Sequence, residues 1–234
     1  MIITTHQECR DNMVFFTKLP DEINGSFTLT NVIDEFKHDY EYITNEGSKF
    51  VFHTNSGAPN NQLVTFDFDN NDPRSTMKTL VPENPEEVLE WAACVHEKYL
   101  LLCYLKDVKT VLYVHDLVSG GRLHQIPLDI GTVSSVSAKR RYSEFFFMFT
   151  SMIIPSTSYR VDMTVMPPQV QLLRETEIPG FRKDDYQVDQ VFYTSKDGTK
   201  VPMFIASRKD MKPDGSHPCM LYGYGGFNIS ILPT

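Results

Sequence analysis

No long hydrophobic run occurs in the 234 residues. The longest, Tyr99 to Leu105 and Phe145 to Phe149, fall far short of the ~20 residues a helix needs to cross a bilayer. No membrane association is expected. Met1-Ile2-Ile3-Thr4-Thr5-His6 lacks a basic segment followed by an apolar one, so no signal peptide is expected either. A basic excess is missing: 22 Lys and Arg against 30 Asp and Glu leave a net charge of −8. That argues against a nucleic-acid partner. Cysteine is scarce. Cys9, Cys94, Cys103 and Cys219 form no CxxC pair, so a zinc site or a redox motif has no support, and neither metal nor cofactor is expected. The four are expected to be buried or semi-buried free thiols of a reducing, cytoplasmic compartment. Asn24-Gly25-Ser26 and Asn228-Ile229-Ser230 fit the glycosylation pattern, which matters only in a secreted protein. Long helical patterns are nearly absent, and there is no G-x-S-x-G nucleophile elbow.

What is present favours a packed β-protein. Hydrophobic residues make up 41% and aromatics 12%, enough for a core. The length fits one large domain or two smaller ones. Three segments share one pattern: an aromatic or apolar strand, a polar turn, then a strand ending in aspartate. They are Phe50–Thr54 with Leu63–Asp67, Tyr99–Leu105 with Val111–Asp116, and Phe145–Phe149, a loop around Pro155, and Ser158–Asp162. A fainter copy ends at Phe15-Phe16-Thr17-Lys18. Lys18, Asp67, Asp116 and Asp162 fall 49, 49 and 46 residues apart. Hairpins repeated at that period suggest β-propeller blades, each too small to cover its own faces. An irregular β-sandwich with evenly spaced hairpins is the other reading. The repeated aspartates are expected to cap turns. Pro85–Trp91 could open a helix, and Val88–Val95 could equally be a buried strand.

Near residue 175 the texture changes. Thr176 to Tyr186 is polar, with Pro179-Gly180 as a breaker. A hairpin follows: a strand at Asp189–Tyr193, a turn through Asp197-Gly198, and a strand at Lys200–Ser207. Beyond the loop Lys212–Pro218, Cys219–Tyr222 is expected to be a short buried strand. It runs into Gly223-Tyr224-Gly225-Gly226. A glycine-rich loop after an early strand supplies part of the oxyanion hole in α/β-hydrolases. Alone, this stretch reads more readily as a tight turn with a buried tyrosine, because glycine-rich turns are common.

The wider context is more specific. Gln190–Tyr193, Ser195–Phe204, Asp214–Pro218 and Leu221–Ser230 closely resemble the prolyl oligopeptidase family. So do Tyr40–Gly47, Val88–Val95 and Leu102–Lys109 upstream. The resemblance implies a mainly β fold: about four blades of a seven-bladed-type β-propeller, followed by the first strands of an α/β-hydrolase domain. Residues 1–176 would supply the later blades, 177–188 a linker and 189–234 the start of the catalytic domain. It also implies a monomeric serine peptidase that cleaves short proline-containing peptides after proline. Tyr224 matches the oxyanion-stabilising tyrosine of the family, and Phe227 matches an aromatic wall of the proline pocket. Gly225 and Gly226 belong to the same substrate-binding loop, and Tyr222 would pack beneath it. The nucleophile, base and orienting acid are expected downstream of Thr234. His217, flanked by Ser216 and Pro218, reads as a loop residue and not as the base. The chain alone is therefore expected to be inactive. The alternative is a non-catalytic propeller-type scaffold.

Overall fold

In the computed structural model, which describes all residues except Cys9, Ile23, Asn24 and Asn228, seventeen strands form five antiparallel sheets. The two glycosylation-type asparagines and Cys9 lie outside the described residues. The first sheet holds β1 (Ile2–His6), β2 (Asn12–Phe16) and β3 (Thr30–Ile33). The second holds β4 (Tyr40–Glu46), β5 (Lys49–Thr54), β6 (Gln62–Asp67) and β7 (Lys78–Val81). The third holds β8 (Val88–Val95), β9 (Tyr99–Lys106), β10 (Lys109–Asp116) and β11 (Arg122–Ile126). The fourth holds β12 (Thr132–Ala138), β13 (Glu144–Ser151), β14 (Ile154–Asp162) and β15 (Gln169–Arg174). Within each, strands pair in chain order. This is the blade meander of a propeller, and the fold is a partial one.

Burial explains the stacking. Three apolar clusters fill the three spaces between the four sheets. β9 shows why its apolar run is continuous: Leu100, Leu102 and Tyr104 face the second sheet, while Leu101 and Cys103 face the fourth. A strand buried on both faces needs no polar alternation. The same burial makes Val88–Val95 a strand, not a helix, with Leu89 and Cys94 packed toward the second sheet.

A polar latch repeats between sheets. Asn12 donates from Nδ2 to the Tyr40 carbonyl and accepts at Oδ1 from the Tyr40 N–H, each at 2.9 Å. Asn61 Nδ2 donates to the Leu89 carbonyl (2.8 Å), and Leu89 N–H donates to the Asn60 carbonyl (2.9 Å). Thr110 donates its N–H to the Gly131 carbonyl and accepts at Oγ1 from the Val133 N–H, each at 3.2 Å. Each latch joins the start of one sheet's middle strand to the start of the next sheet's first strand. β2 thus holds the place of β6 and β10, so the first sheet corresponds to the second, third and fourth strands of a blade. Asn12, Asn61 and Thr110 each precede the repeat-terminal residue by six positions, as does Ser156 before Asp162. At Ser156 the carbonyl accepts from Thr176 Oγ1 (2.9 Å), and the buried hydroxyl has no partner.

The repeated aspartates cap turns. Asp116 Oδ1 accepts from the Val118 and Ser119 N–H groups and the Ser119 hydroxyl. Asp162 Oδ1 accepts from the Thr164 N–H and hydroxyl, and Asp67 Oδ1 from the Asp69 N–H. These bonds favour the ionised form and hold the Asp116 and Asp162 carboxyls below the usual range, and the Ser48 hydroxyl, ahead of the Asp69 N–H, does the same for Asp67. One expectation is corrected here. Pro155 lies inside β14 and not in a loop, because the reversal is completed at Met152-Ile153. Proline is tolerated near a strand start, where its missing N–H costs little.

The fifth sheet is a ribbon of β16 (Tyr186–Thr194) and β17 (Lys200–Arg208). β16 begins three residues before the expected Asp189. Its turn centres on Gly198, at φ +89. Asp197 accepts there from the Ser195 hydroxyl and the Thr199 N–H, which hold its carboxyl down to about 2. The ribbon meets the propeller through Gln190, which donates to the Asp107 carbonyl (2.5 Å) and accepts from Lys109 Nζ (3.0 Å).

Candidate functional site

The glycine-rich loop lies on the surface. Gly225 has φ +89 with open space where a Cβ would sit, a conformation glycine adopts freely. At Gly226 a Cβ would come within 3.2–3.4 Å of the Tyr224 ring, so its absence lets the phenol lie over the backbone. The Ile229 N–H donates to the Gly226 carbonyl (3.0 Å), closing a turn. Phe227 sits in that turn at φ +53, which costs a non-glycine residue roughly 1 kcal/mol. Phe227 is 92% exposed and Tyr224 57% exposed.

The loop thus brings Tyr224, Gly225 and Gly226 together and sends Phe227 outward. His217 is exposed in the preceding loop. A phenol exposed here could donate one hydrogen bond to an oxyanion.

Cys219–Tyr222 departs from expectation. It is an unpaired, exposed segment, with Met220 91% and Tyr222 73% exposed, so Tyr222 does not pack beneath the loop. Cys219 is likewise exposed, whereas Cys94 and Cys103 are buried free thiols. A buried strand needs a core on at least one face. The neighbouring ribbon pairs only with itself and is largely exposed, so nothing covers these apolar side chains. Downstream the chain returns to the propeller. Pro233 is buried, and its carbonyl accepts from Thr132 Oγ1 (3.4 Å) at the start of β12.

The inner edge of the sheets carries features that residue patterns did not reveal. β4 adjoins β8, and β8 adjoins β12, so the first strands line a bore. Each has one extra residue, Ile43, Glu90 and Ser134; Glu90 and Ser134 stand at matching levels, and Ile43 two residues further along its strand. Such bulges re-aim side chains. Ile, Glu and Ser share no chemistry, so no residue pattern could have flagged them. Glu90 is open to the bore yet crowded by protein, and this partial burial raises its carboxyl pKa, with His53 opposing. His53 Nε2 lies 3.0 Å from the Leu89 carbonyl and so carries the proton. Its buried Nδ1 has no hydrogen-bond partner and sits 4.0 Å from the Glu41 carboxylate. Among the described residues no cluster of ligands could hold a metal, and no helix is long and apolar enough to cross a membrane.

Comparison with known proteins gives these arrangements a context. The family model for the prolyl oligopeptidase N-terminal β-propeller domain matches residues 1–171. The chain is 36% identical, over 92% of its length, to prolyl oligopeptidase ophP of Omphalotus olearius, of which it covers 28%. It is 34% identical, over 90% of its length, to a prolyl endopeptidase of Dictyostelium discoideum, again covering 28%. Prolyl oligopeptidase B from Galerina marginata, solved bound to a 35mer hydrolysis and macrocyclization substrate, superposes with a TM-score of 0.87 at 31% identity. That match spans 96% of this chain and 31% of the other. The chain thus spans less than a third of the length of these relatives.

Proposed function

The chain belongs to the prolyl oligopeptidase family through its N-terminal β-propeller domain, and from that membership we propose that the protein it forms part of is a serine-type oligopeptidase cleaving short peptides after proline. Residues 1–176 then supply about four blades of a seven-bladed-type propeller, 177–188 a linker, and 189–234 the opening of an α/β-hydrolase domain. The observation that carries this reading is the family match across 1–171, laid over sheets whose strands pair as blades.

In this reading the Tyr224 hydroxyl donates to the substrate carbonyl oxygen as negative charge develops on it. A donor placed for the oxyanion is worth about 2.7–4 kcal/mol in the transition state. Gly225 and Gly226 let the backbone approach the substrate, and the left-handed Phe227 presents its ring to the proline side chain. A proline ring is apolar and has no N–H to satisfy, so an aromatic wall suits it. The serine, aspartate and histidine follow this loop in chain order, and the protein acts as a monomer without cofactor or metal.

The 234-residue chain alone is expected to leave a proline-containing chromogenic peptide intact. In the protein extended through the triad, Tyr224→Phe should lower kcat by about 10²–10³-fold while leaving KM nearly unchanged. A change confined to KM would remove Tyr224 from the oxyanion role, and cleavage by the chain alone would overturn the division of labour.

A further inference from the structure

Arg140 spans three sheets at the end of the bore away from the hydrolase-type ribbon. It lies in the turn between β12 and β13. Its carbonyl accepts from the Glu97 N–H (2.7 Å), and the nearby Tyr142 carbonyl accepts from the His96 N–H (2.9 Å), so this turn is tied to the β8–β9 turn. Its guanidinium continues to the end of β4. Nη1 donates to Thr44 Oγ1 (2.9 Å) and to the Asn45 carbonyl, and Nη2 pairs with the Glu46 carboxylate. Asn45 is itself held by the Tyr42 hydroxyl (2.6 Å) and by the Gly47 carbonyl (2.9 Å). Directly behind, buried Thr44 faces β8, which carries the buried Cys94 thiol. The opposite end of the same strands carries the Gln190 contact and the Thr132–Pro233 bond.

We propose that Arg140 is a clasp across the mouth of the bore remote from Tyr224, and that whatever enters by that mouth must part it. The planar guanidinium suits this role because it engages a hydroxyl, a carbonyl and a carboxylate from one rigid fork, which a lysine cannot do. The Glu46 arm is exposed and screened by salt. The Thr44 arm is buried and gives the clasp its geometry. The clasp stands on these contacts alone. Its role as a size filter for peptides rests on the peptidase reading above.

Cys94 reports the opening. In the 234-residue chain with Cys9→Ser and Cys219→Ser, Cys94 and Cys103 remain, and Cys103 lies deeper in the third sheet. Arg140→Ala should speed maleimide labelling of Cys94 by about tenfold, the loss expected for a charge-assisted hydrogen bond, and leave Cys103 unchanged. Arg140→Lys should fall between, and added salt should speed Cys94 in the unsubstituted chain. Burial raises the Cys94 pKa and the Arg140 charge opposes that rise, so removing the charge would by itself slow labelling, and an acceleration therefore reports access. An unchanged Cys94 rate, or equal acceleration of Cys94 and Cys103, overturns the clasp. In the extended enzyme, Arg140→Ala should raise kcat/KM for a long proline peptide relative to a short one. An unchanged ratio overturns the filter. No cleavage by the unsubstituted enzyme would instead sink the peptidase reading, and the thiol rates would still judge the clasp.

Discussion

Asn12 joins two sheets with one amide. It is buried, and its oxygen and nitrogen satisfy both backbone groups of Tyr40. Truncation would leave a donor and an acceptor buried without partners, each costing about 1–3 kcal/mol. Asn12→Ala should therefore destabilise the chain by about 2–4 kcal/mol in urea unfolding. Asn12→Asp should do no better, since it keeps the acceptor, loses the donor and sets a carboxylate against the Tyr40 carbonyl. A loss below about 1 kcal/mol for Asn12→Ala would mean that the contact is replaced by water and carries no special weight. None of this was legible as a motif. Asn12, Asn61 and Thr110 differ in chemistry or exact placement, and what they share is a distance of six residues from Lys18, Asp67 and Asp116. The aspartates stood out because turn-capping is local chemistry. The latch partners lie 28 and 23 residues away, at Tyr40, Leu89 and Val133.

Strands whose burial is decided by neighbours divide sharply into those the pattern revealed and those it did not. β13 reads at once as a strand from Phe145-Phe146-Phe147-Met148-Phe149, but only the structure assigns its faces. Phe145, Phe147 and Phe149 fill the cluster shared with the third sheet. Phe147 stacks on Tyr159 with ring centroids 5.0 Å apart, while Met148 points to the open face. Phe147→Ala should cost about 3–5 kcal/mol, and Met148→Ala no more than about 1 kcal/mol. Equal costs by chemical denaturation would show that the open face is covered in solution. Val88–Val95 could not be resolved from periodicity, since a strand buried on two sides and a buried helix look alike. Cys219–Tyr222 misled for the converse reason. Its residues suit a buried strand, but a strand is buried only where a core exists to receive it.

At the scale of the whole chain, the latch series ends with β15. After β15, Thr176 donates to Ser156, at the position where each earlier latch received the next blade's first strand. The chain then turns away through Pro179-Gly180 and forms the β16–β17 ribbon, without adding a strand to the propeller. Among the described residues, the polar contacts back from 177–234 are Gln190 with Asp107 and Lys109, Lys183 with Glu175, and Pro233 with Thr132. Among the described residues, the three apolar clusters draw on nothing beyond Val170. A segment with no apolar face cannot extend a stacked core, and the polar stretch from Thr176 to Tyr186 is the change of composition from which a boundary near residue 175 was expected. Surface contacts of this kind are worth within about 0.5 kcal/mol each, and a chain of this size shifts Tm by roughly 2–4 °C per kcal/mol. A chain ending at Thr176, which keeps the Ser156 bond, should thus unfold within about 8 °C of the 234-residue chain. Its aromatic circular dichroism band from Trp91 should match. It should also aggregate less, since Met220, Leu221, Tyr222 and Phe227 form an exposed apolar surface that the shorter chain lacks. Loss of cooperative unfolding in the shorter chain would show instead that the ribbon and the glycine-rich loop help to hold the blades together, and the boundary would have to move downstream.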